Sequence, residues 1–144
     1  MKELQGRPVV RGEAKGTAVV SSQPINLLAS FAKVLILRRK RGIIGDKNHP
    51  LLGRDVKDKI LVIPQTIGST TGGIVLLEAL KRGIAPRAVV CEKADSLLVS
   101  GAVLGDVWYG ISMPVVDGIP WQELSQIKDG QTLEITKEGV IRII

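Results

Sequence analysis

The segment Thr66-Ile67-Gly68-Ser69-Thr70-Thr71-Gly72-Gly73 concentrates hydroxyls and glycines at the start of an apolar, helix-spaced stretch. Each glycine in the first turn of a helix costs up to about 1 kcal/mol relative to alanine, so their presence implies that something approaches the backbone closely. A helix start also offers amides without intrahelical partners and the positive end of the dipole, which suit a carboxylate, a phosphate or a developing oxyanion. Ser69 sits where those amides could stabilise its own alkoxide. The same residues also fit a plainer role, in which Ser69, Thr70 or Thr71 is an N-cap worth about 1 kcal/mol. Residue types alone leave both readings open. The segment lacks a Gly-Lys-Ser/Thr ending and a Gly-x-Gly-x-x-Gly pattern, so it is neither a P-loop nor a dinucleotide fingerprint. A hydrolase triad would need His49 as base, and Ser69 is not flanked as Gly-x-Ser-x-Gly. His49, beside Pro50 in a turn, reads as structural.

The elements around this segment must hold it in place. Residues 59–64, Lys-Ile-Leu-Val-Ile-Pro, are a short β-branched run closed by a proline that cannot donate to a ladder, which predicts a buried strand. Residues 74–83 space their apolar side chains by three and four and end in Lys81, Arg82 and Gly83, which predicts a largely buried helix with a clear stop. Residues 87–91 are a second apolar run, so strand, helix and strand form a βαβ unit with a parallel pair and a right-handed crossover. Upstream, residues 16–21 and 32–37 read as strands, and residues 42–53 as an ordered loop punctuated by glycines and a proline. Downstream, residues 94–105 are a helix or a helical turn followed by a loop, and residues 113–117 read as an edge strand. Residues 131–136 and 140–144 alternate across Lys137-Glu138-Gly139 as a closing hairpin. Without repeats, low-complexity tracts or linkers, residues 1–144 read as one domain.

Composition narrows the chemistry. The chain has 144 residues, 44% hydrophobic and 24% charged, with 20 basic and 14 acidic side chains and a net charge of +6. A single cysteine, Cys91, cannot hold an iron–sulfur cluster or a cysteine-rich zinc site by itself, so any metal chemistry must be borrowed from a partner. No apolar run approaches the roughly 18 residues of a membrane span, and the first eight residues lack a signal-peptide core, so a cytoplasmic location is expected. The positive charge suits phosphate backbones, but Phe31, Trp108, Tyr109 and Trp121 are the whole aromatic complement. That is too little stacking surface for a single-strand binder, and no nucleic-acid motif is present. The run Arg38-Arg39-Lys40-Arg41 reads as a solvated loop.

Several segments, in order, resemble the aconitase X small subunit, the swivelling domain of aconitase-like dehydratases. Residues 16–21 with Pro24-Ile25-Asn26 are similar to its opening Gly-x-Ala-Leu-Val-Ser. Residues 42–53 are similar to its Gly-x-Ile-x-Asp-x-x-His-Pro-Leu-x-Gly stretch, and Gly68-Ser69-Thr70-Thr71-Gly72 to its Gly-Ser-Ser-Thr-Gly signature. Residues 85–95 and 113–116 complete a likeness over about three-quarters of the chain. The resemblance implies an α/β fold, the swivelling β/β/α domain with mixed strands around a central βαβ unit. It implies one half of a two-subunit hydro-lyase, active only with its large subunit, which carries an iron–sulfur cluster of the 4Fe–4S type. Ser69 would be the base, with Gly68, Thr70, Thr71 and Gly72 binding substrate and no metal ligand on this chain. The substrate class implied is (R)-5-phosphomevalonate, dehydrated to trans-anhydromevalonate 5-phosphate in the archaeal-type mevalonate pathway. A cis-3-hydroxy-L-proline dehydratase subunit and a non-catalytic interaction module on the same fold are the alternatives. Residues 31–41 depart from the family, where a short turn of the Val-Asp-x-x-Thr-Gly kind is usual.

Overall fold

Along the residues described, 2–68 and 70–144 of the computed structural model, the chain runs β1 (Lys2–Gln5), β2 (Arg7–Val10), β3 (Ala14–Val20), β4 (Ile25–Asn26), α1 (Leu27–Ile36), β5 (Ile60–Ile63), β6 (Thr66–Ile67), α2 (Thr71–Lys81), β7 (Ala88–Cys91), α3 (Ser96–Tyr109), β8 (Val115–Asp117), α4 (Trp121–Leu124), β9 (Thr132–Ile135) and β10 (Val140–Ile143). The main sheet has the order β1-β10-β9-β3-β5-β7-β8-β2. β3, β5, β7 and β8 are mutually parallel, and the strands on either side are antiparallel.

Alternation within the central strands divides the core. Leu61 and Ile63 of β5 and Val89 and Cys91 of β7 face the helices, packing with Phe31, Val34, Leu76, Leu80, Leu98 and Ala102. Ile60, Val62, Ala88 and Val90 face the other way, against Leu133, Ile135 and Ile141 of the hairpin and Leu124 of α4. The sheet thus curls over itself, placing a β layer opposite the helices. Its two edges are β1 and β2, neighbours in sequence joined through Gly6, whose amide donates to the Gly139 carbonyl at 2.9 Å. No side chain fits there: a Cβ on Gly6 would strike Val116 Cγ1.

The expected βαβ unit is present as β5-α2-β7, with Ile60 to Ile63 opposite Ala88 to Cys91 in parallel register. The closing hairpin is β9–β10. Three expectations need correction. Residues 32–37 are not a strand but the last part of α1 and its C-cap Leu37, the buried residues Leu27, Ser30, Phe31 and Val34 recurring at helical spacing. β8 is no edge strand, since it lies between β7 and β2 and all three of its residues are buried. The helix after residue 94 passes Gly105 and ends at Gly110, which takes the left-handed conformation. The sequence reading also passed over β1, β2, β4, β6 and α4, each only two to four residues long.

Candidate functional site

Three helices begin at one end of the molecule, beyond the carboxyl ends of the parallel strands. α1 and α2 run side by side in the same direction. Leu27 packs beside Gly72 at one end, and Arg82 Nη1 donates to the Leu35 carbonyl at 2.7 Å at the other. α2 and α3 are likewise aligned, with Gly73 against Leu97, Gly101 against Leu76 and Gly105 against Leu80. In an open parallel sheet this end is where ligands bind, because helix N-termini and loops converge there.

A small polar network fixes the starts of α1 and α3 and ties them to the strand that leads into α2. Asn26 Oδ1 accepts from the Ala29 amide at 3.0 Å, capping α1. β4 and β6 pair in parallel, Ile25 opposite Thr66 and Asn26 opposite Ile67. Thr66 is buried and its Oγ1 donates to Asp95 Oδ2 at 2.7 Å, while Asp95 Oδ1 accepts from the Leu98 amide at 2.8 Å and so caps α3. Asn26, Thr66 and Asp95 were not singled out from the sequence. The signal was available for the two caps, since each immediately precedes an apolar run. Thr66 has no such mark.

Of the residues expected at the site, Ser69 lies outside the described residues. Gly68 is exposed, with φ +123°, a conformation that favours glycine, and a Cβ there would stand 3.3 Å from the Asn26 carboxamide. Thr70 is exposed at the N-cap position of α2 with φ −55° and ψ −25°, and its side chain makes no capping hydrogen bond. Thr71 is exposed as the first residue of α2. Gly72 is buried, and the atom nearest its missing Cβ is Leu27 Cβ at 3.5 Å; at Gly73 it is the Leu97 carbonyl oxygen at 3.2 Å. The close approach implied by these two glycines is therefore supplied by neighbouring parts of this chain. The glycines let α2 lie against α1 and the start of α3.

The electrostatics of this end favour an anion. None of α1, α2 and α3 carries an acidic residue in its first turn, and the Asp95 carboxylate is occupied by Thr66 and Leu98. At α3 the Asp95 carboxylate offsets the dipole, whereas the starts of α1 and α2 carry a positive potential with no acid in the first turn. His49 is buried, with Nδ1 accepting from the Leu51 amide at 3.0 Å and Nε2 at 3.3 Å from the Gln23 carbonyl. Both ring nitrogens serve the loop, consistent with a structural residue.

Two other buried groups are tied to the framework. Cys91 is buried with its Sγ 3.7 Å from the Val116 carbonyl, and burial pushes its thiol up to about 12, which keeps it protonated at neutral pH. Burial alone would raise the Asp117 carboxyl. The Arg7 guanidinium, in two hydrogen bonds of 2.8 and 2.9 Å, and the Ala94 amide at 3.0 Å hold it below the usual carboxylate range. Among the described residues, no group of three His, Cys, Asp or Glu side chains could hold a metal ion. The described side chains therefore offer no ligand set for a cluster. None of the described helices is long and apolar enough to cross a membrane.

Comparison with known proteins matches this geometry to a family. Residues 3–143 match the family model of the aconitase X swivel domain. The phosphomevalonate dehydratase small subunit of Thermococcus sibiricus is 35% identical over 92% of this chain and 90% of its own length. That of Methanosarcina acetivorans is 32% identical over 99% of this chain and 91% of its own. The crystal structure of Thermococcus kodakaraensis aconitase X in its holo-form superposes with a TM-score of 0.85, at 29% identity, across 100% of this chain and 99% of that one. A family model that spans nearly the whole chain, together with relatives above 30% identity over nearly their full length, settles its membership: the chain belongs to the aconitase X swivel-domain family.

Proposed function

We propose that this chain is the small subunit of a two-subunit hydro-lyase that dehydrates (R)-5-phosphomevalonate to trans-anhydromevalonate 5-phosphate, with Ser69 as the base. The observation that carries the reading is the nearly full-length likeness to relatives named phosphomevalonate dehydratase small subunit. In this scheme Ser69 Oγ removes the proton next to the substrate carboxylate. The electron pair of that C–H bond becomes the second bond of the alkene, the adjacent C–O bond breaks with its pair going to the departing hydroxide, and return of the proton held by Ser69 completes water and restores the alkoxide.

The surroundings support the assignment. Backbone amides at the start of α2, with Gly68 and Thr70 to Gly72, would bind the substrate carboxylate and lower the cost of the serine alkoxide. Gly72 would contribute through its backbone alone, since its side-chain position faces Leu27. A large subunit, implied by the relatives' names, would close the site from water and hold the 4Fe–4S cluster. Its chemistry is that of a Lewis acid for the leaving hydroxyl.

The test is anaerobic co-production with the neighbouring large subunit and assay of 5-phosphomevalonate dehydration. The expected result is turnover by the wild type, none by either subunit alone, and loss in Ser69→Ala while the complex still assembles. Turnover of cis-3-hydroxy-L-proline instead would move the chain to the other dehydratase branch. Undiminished turnover in Ser69→Ala would make the serine a helix cap.

A further inference from the structure

At the opposite end of α1, the Arg38-Arg39-Lys40-Arg41 run is built into a pocket. Lys33, Val34, Leu37, Arg39, Lys40 and Arg41 line it from the α1 side, facing Ile43, Ile44 and Leu52 across a cavity of about 590 Å³. That is within the usual size of a small-ligand site. Arg39 and Lys40 are shared with an adjoining depression that also contains Arg38, Lys57 and Arg82. Among the described residues, neither Lys33 nor any of the four residues of the run lies in an ion pair. Cations are thus gathered on one rim without an ion-pair partner among the described residues, and the neighbouring Asp55 carboxylate is taken up by the Gly42 and Lys57 amides, each at 3.0 Å.

The turn that presents them is held in a costly conformation. The Arg39 amide donates to the Val34 carbonyl at 2.9 Å and the Arg38 amide to the Leu35 carbonyl at 3.2 Å, a Schellman closure of α1. Arg38 therefore takes the left-handed position, φ +53°, that ordinarily falls to glycine. The pocket's aliphatic floor, its cationic rim and the lack of aromatic lining together specify a ligand. α1 spans ten residues, about 15 Å at 1.5 Å per residue, so a small molecule in contact with Arg39 is well separated from Gly68, beside the start of that helix.

We propose that the cavity between α1 and residues 43–53 binds a small soluble amphiphilic anion, a phosphate or diphosphate ester with a short aliphatic tail. The head lies on Lys33, Arg39, Lys40 and Arg41, and the tail on Leu37, Ile43 and Leu52, the apolar lining residues that are not buried.

Titration calorimetry of the full chain with inorganic phosphate and with hexyl phosphate tests this directly. Hexyl phosphate should bind roughly tenfold or more tightly than inorganic phosphate, since the buried methylenes add to the charge contacts. Leu52→Ser, at a half-exposed position, should remove most of that difference, and Arg39→Gln with Lys40→Gln should weaken both anions. Equal affinity for the two anions, or no effect of either variant, overturns the proposal. So does tighter retention on anionic phosphatidylserine vesicles than on hexyl phosphate, which would make the patch a membrane contact. Loss of binding on assembly with the large subunit also overturns it, because the pocket would then be a subunit interface. The readout needs no turnover, so its failure leaves the Ser69 assignment untouched.

Discussion

α1 and α2 lie side by side, nearly equal in length, yet they are secured by opposite devices. α1 begins with a side-chain cap from Asn26 and ends with Arg38 in the left-handed position. α2 begins at Thr70, whose own side chain makes no capping hydrogen bond, and ends with Gly83, φ +72°, the Ile84 amide donating to the Ala79 carbonyl and that of Gly83 to Leu80. Each helix gives up the inexpensive solution at one end. At α2 that end is the start, where the proposed chemistry needs amides turned toward an anion. At α1 it is the finish, where the basic turn overhangs a pocket. The difference sets these two helix ends apart as the two places where the chain is proposed to meet something outside itself.

The largest effect expected of this contrast is on activity. Ser69→Ala, just before α2, should lower turnover of the assembled enzyme by about 10²- to 10⁴-fold, the range of a lost general base, while Asn26→Ala should leave the chemistry far less affected. Next in size is the anchor of α1. Phe31 is fully buried, and Phe31→Ala should destabilise the chain by about 3–5 kcal/mol in urea unfolding. The caps then separate the helices: Asn26→Ala should cost about 1 kcal/mol, whereas Thr70→Ala should change stability by no more than about 0.5 kcal/mol. Equal losses would erase the distinction between the two starts. The C-terminal turns differ in sign instead of size: Arg38→Gly should stabilise by about 0.5–1 kcal/mol and Gly83→Ala should destabilise by about as much. A thermal melt of each variant reads the opposite signs.

The same contrast explains what could be read in advance. α2 carried an audible stop, Lys81-Arg82-Gly83, after regularly spaced apolar residues, and it was placed correctly. α1 has no glycine at its end, so the apolar stretch 32–37 resembled a strand running into charge. Its helical identity rests on Asn26 and on burial of Phe31 and Val34 against the sheet. β8 resembled an edge strand because Pro114 precedes it, but β2, drawn from the opposite end of the chain, covers it. The glycines of α2 were correctly read as marking a close approach, but not that Leu27 and Leu97 make it.

Periodicity and β-branched runs were thus enough for the parallel βαβ unit and the closing hairpin, while the order of motifs carried the aconitase X resemblance, which alone implies a role for Ser69. These signals are local: each arises from a few adjacent side chains whose spacing or covalent constraint acts before the chain is folded. Tertiary structure alone decided that β1 and β2 sit on opposite edges of one curled sheet, that Thr66 reaches Asp95, and that a basic run faces an aliphatic floor. Those outcomes depend on contacts between residues far apart in sequence, where burial and pairing override local preference.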